Sequence, residues 1–157
     1  MTLLYRYTSQ RVILIVLIVA CWQQARAQHQ PQERVPLMQF VIKERPLLAD
    51  LITRAGLAPV LSADAPITLL APPEADLQTI QQEPPERLRA ILSNYLLRGI
   101  YLEQDLKDGA SVKTVGGTEL TICRKKDYTL INGTRIAQPN QQVKNGVLHG
   151  TTGMIRP

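Results

Sequence analysis

Apolar positions follow three different patterns along this chain, and each predicts a different kind of element. First comes an unbroken apolar run, VILIVLIVA, at 12–20. It is too short to span a bilayer, which takes about 20 residues. Further on, Leu37, Met38, Val41 and Ile42 fall on one helical face. Pro46 breaks that pattern and suits the first turn of a second helix. Leu47, Leu48, Leu51, Ile52 and Ala55 continue it on an amphipathic face, and Gly56 is a natural stop. A short helix is expected over 74–80. Another opens at Pro84-Pro85, carries Leu88, Ile91, Leu92, Tyr95 and Leu96 on one face, and ends at Gly99.

The third pattern is strand-like. ITLLAP at 67–72 reads as a buried strand stopped by Pro72 and Pro73. After Gly99 come seven short β-type runs: SVKTV, TELTIC, DYTLI, TRIAQ, QQVK, VLHG and GMIR. Asp108-Gly109, Gly116-Gly117, Asn132-Gly133 and Asn145-Gly146 separate them. Asn-Gly tolerates positive φ at both central positions, so 132–133 and 145–146 predict tight antiparallel hairpins of type I′. Helices first and a β meander second give an α+β domain, with N-terminal helices packed on a compact antiparallel sandwich or wedge.

The segment before residue 37 reads as export machinery. Arg6 and Arg11 precede the apolar run, and Ala25-Arg26-Ala27 precedes Gln28, a small-x-small cleavage pattern. Residues 1–27 are therefore expected to be a signal peptide cut between Ala27 and Gln28. A second reading shares the segment: IVAC, ending at Cys21, is similar to the lipobox of bacterial lipoproteins, with Cys21 lipidated as the new N-terminus. Residues 28–36 are polar and contain Gln and Pro, and read as a tether. The domain proper is expected over 37–157. The protein is thus placed in the periplasm, at the cell surface or outside the cell, touching a membrane only through a lipid on Cys21.

Charge weakens the case for nucleic acid. The formal net charge is +5, but Arg6, Arg11 and Arg26 sit in the leader. Removing these three from the 18 basic residues leaves 15 against 13 acidic, with no concentrated basic face. Arg124-Lys125-Lys126 reads as a solvated hairpin tip. Arg87, Arg89 and Arg98 are expected on the helix after Pro85, as a charged outer face. Aromatics are scarce, with one Phe, one Trp and five Tyr, so the core must be aliphatic.

Catalytic and metal chemistry find little support. A triad needs a nucleophile, a base and a group that orients the base, and His149 is the sole histidine base within 37–157. Cys123 is the one domain thiol, read as small and inert. Metal binding wants clustered ligands, which the spacing does not offer, and no cofactor is expected. Glu74 and Asp76 suit a helix start; Asp105 and Asp108 suit turns. Asn132-Gly133-Thr134 matches a glycosylation acceptor, but a hairpin explains it. His149 stands three residues after Gly146 in an apolar strand. Its ring is expected to pack inward with a nitrogen bonded to backbone, since buried polar groups are normally paired.

Three blocks resemble the fasciclin-like domain of extracellular adhesion proteins. AGLAPVLSADAPITLLAPPEADL at 55–77 is similar to the first motif. LSNYLLRGIYLEQDL at 92–106 is similar to the middle block. INGTRI followed by NGVLHGTTGMIRP is similar to the closing motif, with Asn145, Gly146 and His149 in its Asn-Gly-x-x-His. The resemblance implies a fasciclin-like fold over essentially the whole domain. Leu70 and Leu77 stand where the family usually has Phe, Tyr95 where it has a histidine, and Thr152 where it has an acid. The Tyr-His integrin-binding motif of some animal members is absent, because Tyr95 is flanked by Asn94 and Leu96. The implied function is an exported, non-enzymatic module that binds protein or glycan. The alternative is a small-molecule or enzymatic domain with a pocket between helices and sheet.

Overall fold

ITLLA is apolar at four of its five positions, and the reason is that nothing around it is water. The structure, a computed structural model, describes residues 34–156. There the segment forms β1 (Ile67–Ala71), buried at every position. Its neighbour is the last strand, β7 (Gly146–Thr151), also buried throughout. The two run parallel, Leu70 opposite His149. A parallel pair covered on both faces needs this near-continuous apolar composition.

Helices dominate the first half of the described chain, as the apolar periodicity predicts, with β1 the one strand among them. They are α1 (Leu37–Glu44), α2 (Pro46–Arg54), α3 (Ala58–Ser62), α4 (Glu74–Thr79) and α5 (Pro85–Leu92). The strands that complete the sheet are β2 (Leu96–Arg98), β3 (Ser111–Lys113), β4 (Glu119–Arg124), β5 (Thr129–Ile131) and β6 (Thr134–Val143). Seven strands form one sheet in the order β2-β1-β7-β6-β5-β4-β3. Its two outer strands approach each other through a bridge of Leu97 to Thr114, and the Val115 N–H donates to the Leu96 carbonyl at 2.7 Å. The sheet is therefore nearly a closed barrel, which protects edges that would otherwise invite pairing with other chains. The α+β class and the helices-first order hold. The expected all-antiparallel sheet needs one correction, because β1 inserts beside β7 in parallel.

The core is aliphatic. Leu37, Val41, Leu51, Leu61 and Leu88 have no exposed surface, and Tyr95 is the one aromatic among the buried hydrophobic residues described. Each such leucine contributes about 1.5–3 kcal/mol on burial.

Several local expectations change. Ile42 is 55% exposed, off the buried face of α1. The helix after Pro85 stops at Leu92; a single 3-10 turn over Ser93–Tyr95 then feeds β2, so Leu96 lies in a strand. Buried Leu96 and Leu97 pair with β1, and that pairing overrides the helical spacing. TRIAQ and QQVK are one strand, β6, interrupted by register shifts between Ile136 and Gln141. Met154 to Arg156 form no strand. Asn132 and Gly133 both take positive φ, 45° and 80°, as a type I′ turn requires. The second hairpin differs: Lys144 and Asn145 make its turn, Gly146 already pairs with Val143, and neither Asn145 nor Gly146 has positive φ.

Candidate functional site

His149 sits in the middle of β7 with no exposed surface. Its Nε2 lies 2.7 Å from the Tyr101 carbonyl oxygen, and its Nδ1 accepts the Asn140 N–H at 3.1 Å. A carbonyl only accepts and an amide N–H only donates, so the partners fix the tautomer: Nε2 carries the hydrogen and Nδ1 is bare. Burial lowers the imidazole's pKa below the ordinary 6.5, partly offset by the Tyr101 carbonyl and Glu103. The ring is neutral and both nitrogens are committed. Cys123 stands on β4, three strands from β7, and both imidazole nitrogens are already taken by backbone groups. No thiol–imidazole dyad forms.

Asn140 is the left-handed residue of an irregularity in β6, at φ 59°. Its N–H goes to His149, and its Oδ1 accepts the Glu103 N–H at 2.8 Å. Bulges re-aim neighbouring side chains. Here Gln138 and Gln141, on either side of the bend, turn toward the elbow between α1 and α2. Gln138 Oε1 accepts from Arg45 Nη2 at 2.8 Å and from Gln141 Nε2 at 3.2 Å. Arg45 is the elbow residue itself, followed by Pro46 at the first position of α2.

These groups line a cavity of about 340 Å³ with Phe40, Leu47, Glu44 and Glu74. That volume is at the lower end for small-ligand sites. Gly150 lies against two of these lining residues: a methyl there would lie 3.1 Å from Gln138 Oε1 and 3.2 Å from Arg45 Nη2. The sequence offers a pocket between helices and sheet only as an alternative, and names none of these residues as its lining. Its residues come from α1, the elbow, α2, α4 and β6, and no spacing along the chain joins them.

The other singled-out residues are occupied in the fold. Tyr95 is buried; its hydroxyl accepts the Ile155 N–H at 2.9 Å and lies 3.3 Å from both the Ile155 carbonyl and Met154 Sδ. Burial pushes its pKa up to about 12. Asn145 Oδ1 accepts the Leu37 N–H at 2.7 Å, and its Nδ2 donates to the carbonyls of Leu61 and Ala63 at 2.9 and 2.7 Å. Gly146 lies so close to β1 that a side chain there would meet the Ile67 carbonyl. Asp76 accepts the Met154 N–H and Asp108 the Arg124 N–H. Asn132 Oδ1 accepts the Thr121 N–H at 2.6 Å, and its Nδ2 donates to the Arg156 carbonyl.

The expected arginine face forms in part: Arg87 and Arg89 are exposed on α5. Arg87 pairs with Glu83 at 3.3 Å, and Arg89 donates to the Gly56 carbonyl at the end of α2. Arg98 lies on β2. Lys125 and Lys126 are exposed at the β4–β5 tip. Among the described residues, no group of three or more His, Cys, Asp and Glu is placed to hold a metal, and no helix is long and apolar enough to cross a membrane. Cys21, Ala27 and Gln28 lie outside the described residues. Of the expected tether, only 34–36 are described, and there the Val35 carbonyl accepts the Lys144 N–H.

The chain is similar to periostin of Homo sapiens, 26% identical over 128 residues, covering 81% of this chain and 15% of that protein. It is similar to the transforming growth factor-beta-induced protein ig-h3 of Sus scrofa, 31% identical over 115 residues, or 68% of this chain and 17% of that one. It therefore spans only a small part of either relative's length. In fold it matches a FAS1 domain pair from the insect cell adhesion molecule fasciclin I, with TM-score 0.61 over 80% of this chain and 52% of that chain, at 13% identity. Residues 44–157, well over half of the chain, match the Fasciclin domain family, and this chain belongs to that family.

Proposed function

We propose that the protein is an exported, non-enzymatic interaction module that binds a protein or glycan at the cell envelope. Its leader either is cut after Ala27 or leaves a lipid on Cys21. The observation that carries this reading is His149: the domain's one imidazole is buried and spends both nitrogens on backbone. A base so committed serves the fold, as Tyr95, Asn145 and Gly146 do. Membership of the fasciclin family, and the likeness in fold to an insect cell adhesion molecule, support adhesion over catalysis.

The test is chemical crosslinking of the full chain in its native envelope, with identification of whatever is joined to it. A single enriched protein or glycoconjugate, absent from a heat-denatured control, is the expected result. Recovery of only a second copy of the chain would replace a dedicated receptor with self-association. Intact mass of the exported protein separates the two leaders: a Gln28 start excludes the lipid.

A further inference from the structure

The elbow cavity between α1, α2 and the bend of β6 carries an inference about ligand class. Its polar lining is mixed. Glu44 and Glu74 offer carboxylate oxygens, Arg45 offers N–H donors, and Gln138 and Gln141 offer both. Beside them lies the half-buried ring of Phe40. An anionic ligand would meet two carboxylates, a cationic one the Arg45 guanidinium. A purely apolar ligand would strand these polar groups without partners. Neighbouring hydroxyls suit such a wall, because each one both donates and accepts. The C–H face of a sugar ring then has the Phe40 ring to cover it.

The polar side of the cavity is built before any ligand arrives. Arg45, Gln138 and Gln141 already form a chain of hydrogen bonds through Gln138 Oε1. Gly150, packed against this hydrogen-bonded chain, presents no side chain, and one there would push against both Gln138 and Arg45. The backbone bend between the two glutamines is held from behind by His149 and Glu103 through Asn140. Ordering costs that would weaken binding are thus met within the fold.

We infer that this cavity binds a neutral sugar residue of a glycan, held by Arg45, Gln138 and Gln141 against Phe40. The inference rests on the interaction reading above and gives it a site. The test applies the full chain, purified from its exporting host, to an array of neutral, sialylated and sulfated glycans and to a random-peptide array. Neutral glycans should be retained. Arg45→Ala and Gln141→Ala should each weaken that binding about tenfold, the loss of one or two polar contacts, with melting temperature unchanged. Exposed Gln138→Ala provides a third variant if either of these unfolds, and should weaken binding likewise. Retention of only acidic glycans or only peptides would overturn the inference, as would neutral-glycan binding that the folded variants leave intact. If no glycan binds while crosslinking still returns a protein partner, the sugar site fails and the interaction reading stands. If neither experiment returns a partner, both fail.

Discussion

The imidazole of His149 donates from Nε2 to the carbonyl of Tyr101, 48 residues earlier in the chain, at 2.7 Å. The Tyr101 N–H is held in turn by the Thr68 hydroxyl at 3.0 Å. The segment after β2 is therefore fastened to both strands of the parallel pair, to β1 through Thr68 and to β7 through His149.

His149→Ala leaves the Tyr101 carbonyl and the Asn140 N–H unmatched and should cost about 1–3 kcal/mol. Chemical denaturation of both proteins measures it, and an unchanged midpoint would refute the structural role.

The same residue sets an acid dependence. Its native pKa is lowered by burial, whereas the unfolded chain protonates near 6.5. Above pH 6.5 the ring is neutral in both states and its contribution is complete. As pH falls below 6.5 the unfolded state takes up the proton first, so stability declines until the native pKa is reached. Denaturation midpoints of the wild type and His149→Gln between pH 7 and 5 isolate this dependence. The wild type should lose more of its stability than the variant.

Tyr95 acts at the opposite end of the scale. Phenol in the unfolded chain ionises near pH 10, and in the native state near 12. The unfolded state therefore loses its proton first, and stability should fall as pH rises from 10 to 12, by roughly 2–3 kcal/mol. Tyr95→Phe should lack that dependence. At neutral pH it should already be weaker by about 1–3 kcal/mol, since the Ile155 N–H is left buried without its acceptor.

Asn145 ties the start of α1, the end of α3 and the β6–β7 turn with one amide. Asn145→Ala should cost about 2–3 kcal/mol. Asn145→Asp should rescue nothing, because it would turn a charge toward two carbonyl oxygens. Thermal unfolding of the pair decides this, and a stable Asp variant would contradict the bonding described.

Gly146 and Gly133 contrast two reasons for glycine. Gly133→Ala meets nothing but requires φ near 80°, a penalty of about 1 kcal/mol. Gly146→Ala has ordinary φ but drives a methyl into the Ile67 carbonyl, which is backbone and cannot rotate away. About 3 kcal/mol or more should be lost as β1 and β7 part. Equal costs at the two positions would refute this distinction.

Local chemistry was enough to read much of the fold. Leu47 to Ala55 and Leu88 to Leu92 form helices because their apolar spacing, Pro starts and stops act within a few residues. The Asn132-Gly133 turn was legible for the same reason. Leu96 was misread: the helical spacing reaches it, but pairing with Leu69 draws it into a strand. The Asn145-Gly146 hairpin was located correctly and explained wrongly, since Gly146 is needed by a strand 79 positions away.

The class of fold, the aliphatic core and the inward place of His149 in an apolar strand were all legible from residue order. Those follow from periodicity and composition, which are short-range properties. Tertiary structure alone decided that β1 lies parallel to β7, which backbone groups His149 meets, and that Arg45, Gln138 and Gln141 share a cavity with Phe40. Each of those depends on long-range contacts, where packing and strand register choose the neighbours.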